Sequence, residues 1–223
     1  YLNHGVRHGA QWMPAECDVS IRPGWFYHAH EDDQVRTPEN LLDLYFKSVG
    51  RGAGFNLNLP PDRRGRIHEN DVASLKALRT RLDRIFAANL AGRARVSAAD
   101  GRGDDPAYAP GNLVDDDPQT YWAADDNCRR PAVTLAFDEP VTFNVLELRE
   151  HLPLGQRVDA FALDVDRGGD WHEVARAESV GNRRLLRLDR QTARRVRLRI
   201  TQAAMCPTLA ALGLYDDAEE AQS

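Results

Sequence analysis

Three cysteines in 223 residues are too few for a disulfide framework, and their spacing matches no metal site. Cys128 and Cys206 both fall in the C-terminal half and could pair, but the sequence does not require it. Cys17, beside Glu16 and with no base next to it, reads as a small packed thiol and not as a nucleophile. No apolar run approaches the roughly 20 residues that cross a bilayer. No basic segment followed by an apolar core marks a signal peptide; the chain opens on Tyr1, so its true start is expected upstream and that absence means little. Positive charge is not in excess either. A net charge of −5 argues against a general nucleic-acid binder.

What is present is ordinary for a globular protein: 42% hydrophobic and 28% charged residues, in a length that suits one large domain or two small ones. The chain changes character near Ala91-Gly92-Arg93. Before it the pattern is mixed. Val19 to Tyr27, rich in β-formers and aromatics, reads as a strand feeding a loop. Thr37-Pro38-Glu39 is a helix start, with Leu41, Leu42, Leu44, Tyr45, Phe46 and Val49 at helical spacing and Gly50 as the stop. Phe55 to Leu59 alternates as a strand and runs into the turn-rich Pro60-Pro61-Asp62-Arg63-Arg64-Gly65. A second helix is expected from Asp71 to Leu90, with Val72, Leu75, Leu78, Leu82, Ile85 and Phe86 on one face. Strand–helix alternation indicates parallel α/β architecture. The length is short of the roughly 250 residues of a closed eight-fold barrel, so this part reads as the last third of one.

After Arg93 the period becomes two. Val133 to Phe137, Val145 to Leu148, Ala160 to Val165 and Val196 to Ile200 are strand-like, and Asp116-Asp117-Pro118 and Gly168-Gly169-Asp170 are turns. Short strands without helices between them indicate an antiparallel β-sandwich. The expected organisation is therefore an α/β part, the C-terminal portion of a TIM-like barrel, over residues 1–92. An all-β antiparallel sandwich follows over 93–217, then an acidic tail over 218–223 that frays.

The densest chemistry lies between Trp12 and His28, where Glu16, Arg22, His28 and several aromatic rings share one short run. A proton donor beside flat faces suits a sugar-cleaving pocket. Hydrolysis of a glycosidic bond needs two carboxylates, however, and this run supplies one convincing candidate. Asp18, two residues from Glu16, does not fill the gap.

On these residues the N-terminal part resembles glycoside hydrolase family 29, the α-L-fucosidases. The resemblance rests on Trp12, Pro14, Glu16, Asp18 and Ser20 through His28, then Ser48-Val49-Gly50-Arg51, Asn56-Leu57-Asn58-Leu59-Pro60-Pro61-Asp62 and Gly65. It covers residues 1–90, and its style is similar to the branch acting on α-1,3/1,4-linked fucose in Lewis-type glycans. The second part resembles a discoidin-like domain (coagulation-factor C-type), through Asn112 to Ala123, Val145 to Glu150 and Leu212-Gly213-Leu214-Tyr215. Such a sandwich follows the barrel in that branch.

The resemblance implies a retaining, double-displacement hydrolase with Glu16 as general acid/base. The aspartate nucleophile and the fucose-binding histidines lie upstream in the family, on the missing N-terminal barrel half, so the isolated chain is expected to be inactive. Gly52 and Gly54, around Ala53, depart from the family's asparagine and larger apolar residues. Trp12 and Trp25 are expected as sugar-facing walls, against core packing; Arg22 as a pocket residue, against a structural partner for a carboxylate; His28 as a substrate contact, against a loop histidine. His28, His30, Glu31, Asp32 and Asp33 read as a solvated loop in preference to a metal cluster.

No cofactor is expected. Asp115, Asp117 and Thr120 resemble a structural-calcium loop of some discoidin-like domains, but Ala210-Ala211 stands where a glutamate ligand often comes from the last strand. Thr120-Tyr121-Trp122 is expected to anchor the sandwich. Arg195, Arg197 and Arg199 share one strand face, which suits a solvated sheet surface, and Arg102-Gly103-Asp104 is a chance tripeptide. The partner implied is a fucosylated oligosaccharide or glycoconjugate, with no nucleic acid and no membrane span. The parent is expected to be secreted or periplasmic. The other open class is a non-catalytic carbohydrate-binding protein, for which Trp171 and Tyr108 are the available sandwich aromatics.

Overall fold

Thr37 caps a helix as its sequence demands. Its Oγ1 accepts the Asn40 N–H at 3.3 Å, Pro38 fills the first turn, and α1 runs Pro38–Lys47 with Leu41, Leu42 and Phe46 buried. The helix stops before Gly50: the Ser48 hydroxyl donates to the Leu44 carbonyl at 2.7 Å, and a short turn over Val49–Arg51 follows. Gly52 closes that turn at φ 77°, a left-handed conformation that favours glycine. That accounts for one of the two glycines that depart from the family pattern.

The computed structural model describes residues 10, 11 and 13–218, which divide into two units between Arg84 and Ile85. In the first unit β1 (Glu16–Ser20) pairs in parallel with β2 (Gly54–Asn58), and α1 lies in the connection between them. The helix α2 (Glu69–Ile85) starts two residues earlier and ends five residues sooner than the sequence indicates. A separate turn over Leu90–Arg93 takes up the remainder, capped by the Asn89 side chain on the Ala91 N–H. Its buried face begins polar, with Asp71 and Ser74, and continues with Leu78 and Ile85.

The second unit is an antiparallel β-sandwich. Its strands are β3 (Arg95–Ala98), β4 (Trp122–Ala123), β5 (Ala132–Glu150), β6 (Val158–Arg167), β7 (Asp170–Glu178), β8 (Arg184–Ala203) and β9 (Thr208–Tyr215). The hydrogen-bonded order is β4-β9-β5-β8-β6-β7, with β3 paired to β5. What reads in sequence as two strands, 133–137 and 145–148, is the single strand β5. Its ladder with β8 shifts register between Ala136 and Val141, where Asp138, Glu139 and Pro140 are exposed, and again between Phe143 and Val145. Irregularities of this kind bend a strand without ending it. Gly168 and Gly169, at φ 71° and 105°, make the β6–β7 hairpin turn that their sequence announces.

Alternation sends Val133, Leu135 and Phe137 of β5 inward. They meet Phe161 and Leu163 of β6, Val196 and Leu198 of β8, and Leu212 and Leu214 of β9, with Trp122 fully buried among them. Thr120-Tyr121-Trp122 thus anchors this core through its tryptophan. All three cysteines are free, so Cys128 and Cys206 do not pair; Cys206 is buried with an Arg157 guanidinium nitrogen 3.1 Å from its sulfur.

Candidate functional site

The parallel register of β1 and β2 aligns Glu16 with Gly54, Asp18 with Asn56 and Ser20 with Asn58. These six positions share one face of the strand pair, because side chains alternate along each strand. Polar contacts follow that placement: the Asn56 amide donates to Asp18 Oδ1 at 3.1 Å, and the Asn58 amide to Ser20 Oγ at 3.2 Å. Glu16 is exposed beside Gly54; a Cβ on Gly54 would sit 3.9 Å from Glu16 Cγ. The second departing glycine therefore borders the very carboxylate that the resemblance singles out.

The loop leaving β1 carries the other candidates. Trp25 is half exposed, and Phe26 and His28 are exposed. Their backbone is nevertheless held firmly. Ser20 Oγ donates to the Gly24 carbonyl at 2.6 Å, the Asn58 amide donates to the Trp25 carbonyl at 2.9 Å, and Arg36 Nε donates to the Ser20 carbonyl at 2.8 Å. Trp12 lies outside the described residues.

Arg22 is the centre of this loop, not part of an open pocket. Its side chain is fully buried; Nε donates to Asp71 Oδ2 at 3.0 Å, Nη2 stands 3.0 Å from Asp71 Oδ1, and Nη1 donates to Asp32 Oδ1 at 3.0 Å. Tyr27 covers the guanidinium at 4.8 Å and donates its hydroxyl to Asp32 Oδ2 at 3.3 Å, while His68 Nε2 lies 3.4 Å from the same oxygen. Burial alone would lower the Arg22 pKa, but hydrogen bonds and charge from Asp71 and Asp32 outweigh it and hold the group above its ordinary value. The described geometry is that of the structural-partner alternative for Arg22, with both carboxylates spoken for. Sequence reading missed Asp71 because it lies 49 residues from Arg22. The one available signal was an acid in the first turn of a helix.

The loop leaving β2 is equally locked. Asp62 accepts the Arg64 backbone N–H at 2.7 Å on Oδ1 and the Arg64 guanidinium at 2.6 and 2.9 Å on Oδ2, with Gly65 in the left-handed region at φ 73°. Arg64 holds the Asp62 carboxyl well below the usual range, at about 2.

Glu16 begins β1, and Ser20, at the other end, lies about 13 Å further along at ~3.3 Å per residue. In parallel α/β folds the chemistry gathers beyond the C-terminal ends of strands, where Trp25 and His28 sit.

Among the described residues no group of three or more His, Cys, Asp or Glu side chains is placed to hold a metal. His28 and His30 have ring centroids 5.5 Å apart. Asp115, Asp117 and Thr120 close their own loop: Asp115 accepts the Asp117 N–H at 3.0 Å and the Thr120 hydroxyl at 2.8 Å, and Asp117 accepts the Gln119 N–H at 2.8 Å.

On the sandwich surface the arginine row is ion-paired. Arg195 meets Asp166 at 2.8 Å, Arg197 meets Asp164 at 2.7 Å, and Arg199 meets Asp164 and Glu173 at 2.6 and 2.8 Å. Arg195 and Arg197 also stand over the Trp171 ring, at 5.0 and 4.4 Å. Arg102 stands over Tyr108 at 5.5 Å, and Tyr108 lies against Tyr121.

The antiparallel sandwich now has a family. Residues 95–211 match the F5/8 type C domain, and the chain belongs to that discoidin-like family. Beyond the sandwich, the chain is 40% identical over 221 residues to alpha-L-fucosidase 1 of Arabidopsis thaliana, covering 97% of this chain and 43% of that protein. A Ruminococcus gnavus fucosidase of glycoside hydrolase family 29, solved in complex with fucose, superposes with a TM-score of 0.88 at 28% identity, over 97% of this chain and 44% of the other. The crystal structure of SpGH29 gives 0.87 at 37% identity, over 96% and 46%. The chain thus spans less than half the length of these relatives, and what it matches is the C-terminal part of an α-L-fucosidase.

Proposed function

We propose that the whole protein is a retaining α-L-fucosidase that removes terminal α-1,3/1,4-linked L-fucose from glycans by double displacement. Likeness to family 29 fucosidases along nearly the whole chain, barrel-like unit and sandwich together, carries this reading. In it, residues 1–92 complete an α/β barrel whose other strands, nucleophile and fucose-holding histidines come from the preceding polypeptide. Residues 93–217 form the sandwich that follows. A fucosylated oligosaccharide or glycoconjugate is the substrate, and a secreted or periplasmic enzyme suits such a substrate.

The roles inside the chain differ in strength. Trp25 and His28 stand on a clamped loop past the C-terminal end of β1, so they are the residues here best placed to face sugar. Arg22 and Asp71 hold that loop from beneath. Glu16 has the family resemblance in its favour and stands exposed at the start of β1.

One experiment separates these. The full-length protein is assayed on a Lewis-type trisaccharide and on an α-1,2-fucosylated one, with Glu16→Gln beside the wild type. The proposal requires fucose release, faster from the α-1,3/1,4 linkages. If Glu16 is the acid/base, the variant loses about 10²–10⁴-fold in kcat on the trisaccharide and azide restores turnover of an activated aryl fucoside. Unchanged activity of Glu16→Gln assigns the proton donor elsewhere. Absence of fucose release from the wild type refutes the function itself.

A further inference from the structure

We propose that His68 is a positioning residue for substrate binding: its neutral imidazole keeps the loop of Trp25 and His28 in place, and a charged imidazole releases it. The inference rests on the fucosidase reading above only for what that loop binds. His68 directly precedes α2, and its carbonyl accepts the Val72 N–H at 3.0 Å. Its ring caps the same helix, since Nδ1 accepts the Asn70 backbone N–H at 3.3 Å. An acceptor at Nδ1 puts the ring proton on Nε2. Nε2 lies 3.4 Å from Asp32 Oδ2 and 3.6 Å from Glu69 Oε2.

The capped end of α2 holds the loop. The Asn70 side-chain amide donates to the Asp32 carbonyl at 2.8 Å, Asp71 accepts from the buried Arg22 guanidinium at 3.0 Å, and the Ser74 hydroxyl donates to the Arg36 carbonyl at 2.5 Å. Arg22 Nη1 in turn reaches the His28 carbonyl at 3.5 Å. The residue that His68 caps thus adjoins Asp71 in sequence, and Asp71 reaches His28 through Arg22.

Charge on the ring changes both of its contacts. A protonated Nδ1 is a donor facing another donor, the Asn70 N–H, at a helix N-terminus whose dipole disfavours a cation. The cap is then lost. The charged ring is drawn to Asp32, because Arg64 already holds both Glu69 oxygens at 2.9 Å. Asp32 is the carboxylate that Arg22 Nη1 and the Tyr27 hydroxyl share, and the Tyr27 ring stands 6.0 Å from the imidazole. Arg22 brings one positive charge to two carboxylates, Asp71 and Asp32, so Asp32 retains attraction for an imidazolium that competes with Arg22. Imidazoles as a class gain their charge in mildly acidic solution, which makes acid the trigger.

The test takes the full-length protein from about pH 7.5 down to about pH 5. KM for an aryl α-L-fucoside should rise about tenfold on the way, separately from any change in kcat. His68→Asn keeps a capping side chain that cannot charge; its KM should match the wild type within about twofold at the upper pH and stay flat below it. His68→Ala has neither cap nor charge, so its KM should be about fivefold high at every pH. Trp25 gives a readout that needs no turnover. Its signal in fluorine NMR of fluorotryptophan-labelled protein, identified with Trp25→Phe, should move with pH in the wild type and stand still in His68→Asn. An acid rise in KM or a moving Trp25 signal that survives in His68→Asn overturns the inference, as does a wild type in which neither responds to pH. His68→Ala decides the same point if His68→Asn does not fold. A wild type that cleaves no fucoside while its Trp25 signal moves as described refutes the fucosidase reading and leaves the hold of His68 on the loop standing.

Discussion

The two units of this chain hold themselves together differently. The sandwich closes an apolar core on itself, with Trp122, Phe143, Phe161 and Leu163 fully buried. Among its described residues the first unit has two strands, and its largest fully buried side chains include an arginine, Arg22, as well as Ile21, Leu41 and Leu42. Its loops are fixed by ion pairs and amide clamps instead of by packing: Arg22 with Asp71 and Asp32, Asn58 on the Trp25 carbonyl, Arg64 on Asp62. A sheet of two strands cannot cover both of its edges. The difference teaches that one unit rests on an apolar core and the other on buried polar and charged contacts.

That contrast can be broken by mutation. Phe161→Ala should cost the sandwich about 3–5 kcal/mol and move only its own unfolding transition, as read by urea melts with hydrogen exchange assigned to each unit. Asp71→Ala leaves the buried Arg22 charge with Asp32 alone and should cost the first unit about 3 kcal/mol, with the sandwich amides untouched. If both variants shift both units equally, the two regions are not independent. The isolated chain should also associate through the open edges of β1 and β2; sedimentation showing a clean monomer with a cooperative melt of the first unit would contradict the comparison.

Acid should act on the first unit as well. The folded Asp62 carboxyl sits at about 2, below its ordinary 3.8. A depressed carboxyl stabilises the fold above the unfolded value and loses that contribution as pH falls through the folded one. Stability should therefore decline between those two values, and Asp62→Asn should remove that slope in pH-dependent melts. The smallest effect is at the α1 cap. Thr37→Ala should cost about 1 kcal/mol, seen as a small shift of the first unit's denaturation midpoint.

Local chemistry was legible in the sequence where neighbours in the chain decide the outcome. Thr37-Pro38-Glu39 starts a helix and Gly168-Gly169 turns a hairpin because each signal acts within a few residues. The long strands were not legible. Asp138-Glu139-Pro140 interrupts the apolar alternation of β5, and only the β8 partner shows that the strand continues through a register shift. The polar strand β7 was not legible since its residues alternate weakly and its ladder pairing is with β6. In the site, the run from Glu16 to His28 stands out by composition, but which of its residues lie in the strand and which in the loop after it is set by pairing with β2, which the sequence does not show. Arg22 could be read as a pocket residue or as a structural partner, and the sequence could not choose because its partner Asp71 lies 49 residues away.

The most direct measurement follows fucose release by proton NMR, comparing the full-length protein with the 223-residue chain on one α-1,3/1,4-fucosylated trisaccharide. The account predicts that the full-length protein releases the α-anomer first, as retention requires, and that the chain alone releases none. Release by the chain alone, or first appearance of the β-anomer, would contradict it.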